Sequence, residues 1–147
     1  MNMIISQACK IAIKSLVLIA SKSFIGEKVG IKLISKEIAE NEHTIGKTLQ
    51  VLVKHGLLSS VRGPQGGFYL TENQYNTNMY KIVETIDGNN IFKECILGLP
   101  ECNNENPCPM HHSFEGLRVS LYQIFKDNTI RSLCEVLLNG KSILTYI

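Results

Sequence analysis

The sequence predicts a mainly α-helical protein with one small β-hairpin, arranged as a winged helix-turn-helix domain followed by a long C-terminal helix. Three observations lead to this fold class. Two short amphipathic stretches, residues 34–40 and 44–55, lie close together in the chain. A turn containing Gly and Pro, residues 63–67, separates two short apolar runs directly after them. Apolar residues then recur at helical spacing from Phe114 onward.

Three helices are predicted in the N-terminal half. Apolar residues share one face of the first helix: Ala8, Ile11, Ala12, Leu16 and Ile19. Because Lys14 interrupts this stretch, it is typical of a core helix and not of a signal peptide. We expect Ser35 to cap a short helix over residues 34–40. The next helix is expected from Thr44 to His55, with Gly56 ending it.

The segment after these helices has the pattern of a hairpin. Leu57–Arg62 and Phe68–Leu70 are predicted strands, joined by the GPQGG turn. A hairpin directly after two short helices is a wing, which approaches DNA while one helix occupies the major groove. We therefore expect Arg62 to enter or border the minor groove. The alternative is that Arg62 is a surface charge on an ordinary hairpin.

Positive charge is concentrated in this half of the chain. Up to Leu70 there are nine Lys or Arg against four Glu, a net charge of +5. From Thr71 onward, six basic residues face nine acidic ones, a net charge of −3. A basic region favours binding of a polyanion such as double-stranded DNA. A solvated charged face is the alternative that charge alone leaves open.

The C-terminal half is predicted to contain helices on either side of an irregular loop. Met79–Ile86 has an amphipathic helical pattern. Residues 87–112 are rich in Gly, Asn, Pro and Cys, which predicts a loop without regular structure. A long helix follows, and a short helix from Thr129 to Leu138 is expected to be capped by Asp127 or Asn128.

The long helix carries a repeating apolar face. Phe114, Leu117, Leu121 and Ile124 are spaced three, four and three residues apart, as in the contact face of a coiled coil. Such a face packs either on the protein's own core or on a second copy of the chain. A long helix separated from its domain by an irregular loop favours the homodimer.

The five cysteines fall into two groups. Cys9 and Cys134 lie in predicted helices, and we expect them to pack as small apolar groups. Cys95, Cys102 and Cys108 lie in the loop at spacings of seven and six residues. Thiolates bind iron–sulfur clusters and zinc. The spacing alone leaves an iron–sulfur cluster, zinc and no metal all open.

Other classes of protein are disfavoured. The sequence has no nucleotide-binding loop, and no Ser/His/Asp set or carboxylate pair can be assembled from it, so we do not expect an enzyme. No apolar run approaches the roughly 20 residues of a membrane span. We therefore expect a cytoplasmic protein without a membrane partner. In a reducing cytoplasm, five cysteines favour metal binding or redox sensing over structural disulfides.

Four segments carry a family resemblance over nearly the whole chain. They are MIISQACKIAIKSL (residues 3–16), LVKHGLLSSVRGPQGGFYL (residues 52–70), the three-cysteine loop ending in CPMH, and DNTIRSL (residues 127–133). Together these segments resemble the IscR/NsrR-type (Rrf-two) family of bacterial transcription regulators. The wing and the cysteine loop are the most specific part of the resemblance.

The resemblance implies a homodimeric regulator of the repressor type. Each winged domain would bind half of a roughly palindromic DNA operator, and an iron–sulfur cluster would change the affinity. The implied cluster ligands are Cys95, Cys102 and Cys108, with His111 as the fourth ligand of a 2Fe-2S cluster. In nitric-oxide-sensing members the extra ligand is an aspartate on the opening helix, where this chain has Lys10. Because lysine cannot serve as that ligand, the resemblance favours 2Fe-2S over 4Fe-4S.

DNA contacts and the division of the chain follow from the same resemblance. The expected contacts are Thr44, Lys47, Thr48 and Gln50 in the second short helix, and Arg62, Gly63 and Gln65 in the wing. Asn41–Thr44 is a few residues shorter than the family pattern, which predicts a shortened or displaced recognition helix. We expect a DNA-binding domain at residues 1–86, a cluster-binding loop at 87–112, and dimerisation and C-terminal helices at 113–147.

Two alternatives stand beside this reading of the function. One is a DNA-binding regulator that holds zinc, or that senses thiol oxidation directly through the same cysteines. The other is a winged module that binds protein and not DNA. A true DNA binder releases counterions, so its affinity falls as salt is raised, and this dependence separates the two.

Overall fold

The computed structural model describes residues 4–144, so Met3 of the opening segment and the extreme ends of the predicted division lie outside the described residues. Within this range the chain forms eight helices and one two-stranded hairpin. The helices are α1 (Gln7–Ser23), α2 (Ile31–Ile38), α3 (Glu42–Lys54), α4 (Glu72–Tyr75), α5 (Met79–Asp87), α6 (Asn90–Lys93), α7 (His111–Asp127) and α8 (Ile130–Leu138). The strands are β1 (Ser59–Val61) and β2 (Gly67–Tyr69). The predicted helical fold with one hairpin is confirmed.

Helix α1 lies at the centre of the core. It begins where the Ser6 hydroxyl oxygen accepts a hydrogen bond from the Cys9 backbone N–H at 3.0 Å. Its apolar face packs against α3, α5 and α8. Ile11, Leu16 and Ile19 are at most 1% exposed, and each such burial stabilises the fold by about 1.5–3 kcal/mol. The predicted core helix is therefore confirmed.

A three-residue turn joins α2 to α3. Ala39 adopts the left-handed conformation with φ 56°, which redirects the chain. The Asn41 side chain then accepts hydrogen bonds from the backbone N–H groups of His43 and Thr44, at 2.8 and 3.3 Å. With this cap α3 runs for 13 residues, from Glu42 to Lys54, and begins two residues before the predicted start at Thr44. Gly56, with φ 74°, follows its end as predicted.

Ser35 does not cap α2, contrary to the prediction. The helix begins at Ile31, because Ile31 and Ile34 extend the apolar spacing toward the N-terminus. The Ser35 hydroxyl instead donates to the Glu40 carbonyl oxygen at 2.6 Å, just beyond the C-terminal end of the helix. Close packing of α2 on α3 occurs at Gly46, where an added Cβ would lie 3.2 Å from Ile31 Cδ1.

The hairpin is anchored to the connector between α1 and α2. Strands β1 and β2 pair antiparallel with Ser60 opposite Phe68, which confirms the predicted hairpin; β1 is shorter than predicted, and β2 is shifted by one residue. Val29 and Phe68 exchange both of their backbone hydrogen bonds at 2.8 Å. Gly67 permits this approach, since an added Cβ there would lie 2.9 Å from the Val29 carbonyl oxygen. Strand β2 of the wing is thus paired with β1 on one side and with the α1–α2 connector on the other.

Two short helices depart from the predicted pattern. Helix α4 is a single turn, too short to produce a period in the sequence, and it starts where the Thr71 N–H donates to Gln74 Oε1 at 2.9 Å. Helix α6 lies inside residues 87–112, which were predicted to be irregular throughout, and α7 already begins at His111. Helix α5 extends to Asp87, and residues 88–89 and 94–110 are loop, as predicted.

Helix α8 has a different cap from the one expected. The Thr129 hydroxyl oxygen accepts from the Ser132 N–H at 3.1 Å, and Ser132 Oγ accepts from the Thr129 N–H at 2.9 Å. This reciprocal pair replaces the predicted caps, Asp127 and Asn128. Ile130 is fully buried in the core formed by α1. The last helix therefore packs on the winged domain.

Helix α7 packs against α5 and α6 through aromatic side chains. The rings of Tyr80, Phe92, Tyr122 and Phe125 lie with neighbouring centroids 5.1–6.0 Å apart. This cluster attaches the long helix to the segment that carries the cysteines. Among the described residues, no helix is long and apolar enough to cross a membrane.

Candidate metal centre and nucleic-acid interface

Helix α3 presents polar side chains on its outer face. Thr44, Lys47 and Gln50 are exposed, as a nucleic-acid contact requires. Thr48 is different. It is only 6% exposed, and its hydroxyl donates to the Thr44 carbonyl oxygen at 3.0 Å. The expectation that Thr48 contacts DNA is corrected on this ground, because the helical rotation turns it toward the core.

The wing lies beside this face. Arg62, Gly63 and Gln65 are all exposed at its tip. An open groove between the wing and α3 is lined by Gln50, Lys54 and Arg62 among others. Of the predicted contacts, Gln50 of the helix and Arg62 of the wing thus line the same groove.

Lys28 is a basic residue near the wing that the sequence reasoning missed. The pairing of Val29 with Phe68 brings the α1–α2 connector against β2. Lys28 Nζ lies 5.9 Å from the centre of the Tyr69 ring, within the range of a cation–π contact. No local pattern signals this placement, since it depends on a contact between segments about forty residues apart in sequence.

The three loop cysteines converge. The sulfur atoms of Cys95, Cys102 and Cys108 all lie within 4.8 Å of one another. Cys95 Sγ and Cys108 Sγ are 3.5 Å apart. Backbone groups point at the sulfurs: the Leu97 N–H donates to Cys95 Sγ at 3.4 Å, and the Cys108 N–H donates to Cys102 Sγ at 3.3 Å. Such N–H donors stabilise thiolate charge.

His111 joins this group at the start of α7. The residue is 6% exposed. The Nδ1 atom lies 3.2 Å from Cys102 Sγ, and Nε2 lies 2.9 Å from Asn104 Oδ1. His112 instead faces solvent, with its Nδ1 atom 4.0 Å from Glu115 Oε2. The structure therefore brings one of the two adjacent imidazoles to the thiols.

The thiols of the loop differ in acidity. Hydrogen bonding to the Leu99 backbone, and further contacts with Leu97 and the neighbouring thiols, lower the pKa of Cys95 to about 7. Burial raises the pKa of Cys108 above its ordinary value, and its contact with Cys95 acts in the same direction. Of Cys95 and Cys108, Cys95 is thus the thiol better prepared to be a thiolate near neutral pH.

The other two cysteines lie in the helical core. Cys9 and Cys134 are both fully buried, which confirms the prediction that they pack as small apolar groups. Burial raises the pKa of Cys9 to about 12, with a smaller effect from the charge of Asp87. Burial also raises the pKa of Cys134. Neither thiol is suited to binding a metal ion.

Helix α7 carries an exposed apolar face. Leu117 and Ile124 are each 58% exposed, and Phe114 and Leu121 are half-buried. The four residues of the predicted dimerisation face therefore lie along the surface of one chain and are not enclosed in its core.

The donor set fits the group that the resemblance implies. Three thiols and one imidazole meet in a short loop, and sets of this kind hold iron–sulfur clusters. Backbone N–H groups are already directed at two of the sulfurs, as in clusters whose charge is stabilised by the protein. Residues Cys95, Cys102, Cys108 and His111 could thus hold a cluster.

A family model matches residues 5–136 of this chain. That model is Rrf2, described as an iron-dependent transcriptional regulator. The protein belongs to the Rrf2 family. The family resemblance drawn from the wing and the cysteine loop is therefore confirmed.

Sequence relatives of this Rrf2 protein are regulators. An HTH-type transcriptional regulator of Aquifex aeolicus (strain VF5) is 31% identical over 94 residues, covering 63% of this chain and 65% of that protein. Another, of Haemophilus influenzae (strain ATCC 51907 / DSM 11121 / KW20 / Rd), is 29% identical over 101 residues, covering 66% and 67% of the two chains. The match to the Aquifex protein thus spans just under two thirds of its length.

Solved structures share the fold. CymR (YrzC), the global cysteine regulator of B. subtilis, superposes with a TM-score of 0.72 at 18% identity, covering 91% of this chain and 98% of that one. T. potens IscR gives a TM-score of 0.72 at 18% identity, with 96% and 93% covered. The winged-helix fold class of this Rrf2 protein is confirmed by these neighbours.

Proposed function

We propose that this Rrf2 protein is a homodimeric DNA-binding regulator whose operator affinity is controlled by an iron–sulfur cluster held by Cys95, Cys102, Cys108 and His111. The observation that carries the proposal is the convergence of three thiols and one imidazole at the start of α7. The same chain has a basic helix and a wing with exposed polar residues. In this proposal, residues 87–112 sense the signal and residues 1–86 bind DNA.

A 2Fe-2S cluster is favoured over a 4Fe-4S cluster. One imidazole with three thiolates provides four protein ligands, and histidine occurs as a ligand in 2Fe-2S centres. Residue 10 on α1 is a lysine, so this chain has no aspartate there that could replace His111 as a ligand. The T. potens protein of the same fold is named IscR. These observations support the proposal that His111 is the fourth ligand.

The test is anaerobic purification followed by ultraviolet and visible absorption, with iron, sulfide and zinc quantified on the same sample. We expect iron and sulfide in equal amounts, together with charge-transfer bands in the visible. Absence of iron and sulfide after anaerobic reconstitution would contradict the proposed cofactor.

Zinc is the second candidate, because the thiols are packed closely. A tetrahedral site with Zn–S bonds of about 2.3 Å places its sulfurs about 3.8 Å apart. The Cys95–Cys108 sulfur distance of 3.5 Å is near that value. Stoichiometric zinc without sulfide in the same preparation would support this candidate, and the loop would then have a structural role.

For DNA binding, we propose that α3 enters the major groove while the wing borders the minor groove. Thr44, Lys47 and Gln50 would contact the bases or phosphates from the helix, and Arg62, Gly63 and Gln65 from the wing. Lys28 is added as a phosphate contact, because the Val29–Phe68 pairing places it beside the wing. The net charge of +5 in the first seventy residues supports this orientation.

The operator is obtained by selection from random double-stranded DNA, and its affinity is then measured by fluorescence anisotropy at several salt concentrations. We expect affinity to fall as salt is raised, because bound Lys and Arg release counterions. Arg62→Ala should weaken binding by about 1–3 kcal/mol. Lys81→Ala is the matched control, since Lys81 is an exposed basic residue on α5, outside α3 and the wing. Failure to select any sequence, with no salt-dependent affinity, would favour the protein-binding module.

The proposed dimer pairs α7 with its copy through Phe114, Leu117, Leu121 and Ile124. The exposure of Leu117 and Ile124 supports it, because large apolar side chains exposed in register are typical of an interface. Sedimentation should detect a dimer that Leu117→Glu dissociates. Gln123→Glu is the control, since Gln123 is an exposed residue of α7 that lies away from this face. A monomeric native protein would contradict the proposal.

A further inference from the structure

Asn104 contacts the imidazole of His111, although neither the sequence pattern nor the donor set includes it. Its Oδ1 atom lies 2.9 Å from His111 Nε2. A neutral imidazole carries hydrogen on one ring nitrogen and a lone pair on the other. Because a carbonyl oxygen only accepts hydrogen bonds, Nε2 must be the nitrogen that donates. The lone pair is then on Nδ1, which lies 3.2 Å from Cys102 Sγ.

We propose that Asn104 is a positioning residue that holds His111 in the Nε2–H tautomer, so that Nδ1 is the metal-binding atom. The metal-binding part rests on the proposed function, whereas the tautomer belongs to the protein alone. Histidine ligands generally donate the second ring N–H to a carbonyl or carboxylate, which fixes the ring and its tautomer. Asn104 supplies that acceptor here.

The loop has a local reason to present Asn104 at this place. The Asn103 side chain accepts hydrogen bonds from the backbone N–H groups of Glu105 and Asn106, at 2.8 and 2.9 Å. The Asn103 N–H also donates to the Asn106 carbonyl oxygen at 3.3 Å. These bonds close a tight turn around Asn104. Through Asn104, the turn contacts the imidazole of His111, the first residue of α7.

The neighbouring histidine provides the contrast. His112 is 72% exposed at its side chain, and its Nδ1 atom lies 4.0 Å from Glu115 Oε2. His111 is 6% exposed, so water competes little for its ring nitrogens. Among the two imidazoles, the one directed at the thiols is also the one with a protein acceptor on its far nitrogen. This arrangement favours His111 over His112 as the proposed ligand.

The test begins with metal-free protein labelled with ¹⁵N-histidine, at about pH 8, where imidazoles are ordinarily neutral. We expect long-range ¹H–¹⁵N correlations to identify His111 as the Nε2–H tautomer. Its Nε2–H proton should exchange slowly, because it is buried and hydrogen-bonded. Asn104→Ala should lose that protected proton. Asn104→Asp should keep it, because a carboxylate also accepts. An Nδ1–H tautomer, or a protected proton that survives in Asn104→Ala, would overturn the proposal.

The second measurement uses Zn²⁺, a diamagnetic probe of the same ligands. In the zinc-loaded protein we expect the metal-shifted nitrogen of His111 to be Nδ1. Asn104→Ala should lower the zinc affinity by about 10- to 100-fold in competition with a chelator. Asn106→Ala is the matched control, since Asn106 belongs to the same loop and makes no hydrogen bond to His111 in the described part of the chain. Coordination through Nε2, or an unchanged affinity in Asn104→Ala, would overturn the proposal.

The two measurements separate this inference from the proposed function. If the metal-free protein has the Nε2–H tautomer but binds neither zinc nor a reconstituted cluster, the proposed sensor fails and the assignment of metal binding to Nδ1 fails with it. If a cluster or zinc binds while His111 has the opposite tautomer, the sensor stands and the role of Asn104 is refuted.

Discussion

Cysteine side chains have different surroundings in the helical core and in the cysteine loop, and their acidity differs accordingly. In the core, Cys9 and Cys134 are fully buried, and burial raises the pKa of each thiol. In the loop, the sulfurs of Cys95, Cys102 and Cys108 lie together, with backbone N–H groups directed at two of them. Hydrogen bonding lowers the pKa of Cys95 to about 7.

The difference shows that surroundings, and not residue type, decide what a cysteine does. Regular helices use their backbone N–H groups internally, so a thiol packed between them meets chiefly carbon. An irregular loop leaves N–H groups free to face a sulfur, as those of Leu97 and Cys108 do. Packing is the role of the first group, and ligand binding is the proposed role of the second.

The largest expected effect comes from removing one loop sulfur. Cys102→Ala should abolish retention of the cluster, because it deletes a ligand that also contacts His111. The metal-free variant should unfold at the same temperature as the metal-free native protein. Iron and sulfide analysis with a thermal melt checks both. Cys134→Ala is the control and should keep its iron; a fully loaded Cys102→Ala would remove Cys102 from the ligand set.

A core substitution should lower the stability of the fold and leave metal binding unchanged, the reverse of Cys102→Ala. Leu49→Ala, at a fully buried position in α3, should lower the free energy of unfolding by about 2–5 kcal/mol. The metal content of the protein that remains folded should not change, since Leu49 lies outside the cysteine loop. Urea titration and metal analysis are the measurements. Loss of metal from folded Leu49→Ala would contradict the expectation that metal binding depends on the loop and not on the core.

Alkylation should then sort the five thiols of the metal-free protein by rate. At about pH 7, iodoacetamide should modify Cys95 first, since about half of a thiol with this pKa is thiolate. Cys9 and Cys134 should react only after unfolding, because both are buried with raised pKa values. Peptide mass spectrometry reports each site. Labelling of Cys9 in folded protein at the rate of Cys95 would contradict the comparison.

The smallest effect concerns pH. An unfolded thiol loses its proton above about pH 8.5, whereas Cys9 keeps its proton until about pH 12 in the folded protein. Stability from this group is therefore complete below about pH 8.5 and falls as the pH rises. When the pH is raised from about 8 to about 10, the free energy of unfolding should fall less in Cys9→Ala than in the native protein. The difference between the two losses should be at most about 2 kcal/mol. Cys95→Ala, whose thiol has a lowered pKa, should not reduce the loss. Equal losses in the native protein and Cys9→Ala would contradict the assignment.

Local patterns allowed much of the fold to be predicted. The helical spacing in α1, α3 and α5, and the turn between β1 and β2, were each readable from a few neighbouring residues. Errors arose where a local signal had two uses. Serine is a common N-cap residue, but the Ser35 hydroxyl donates to the Glu40 carbonyl oxygen beyond the C-terminal end of α2. Thr129 was overlooked beside Asp127 and Asn128, although its spacing to Ser132 forms the reciprocal cap.

By itself, the sequence determined which residues could do chemistry, because residue type and spacing are local properties. It separated the loop thiols from the helical ones and identified the wing. Only the tertiary structure decided which side chains meet: Thr48 turns inward, Lys28 reaches the wing through the Val29 pairing, and Asn104 Oδ1 lies against His111 Nε2. These contacts join separate segments, and their positions depend on how the helices pack around α1.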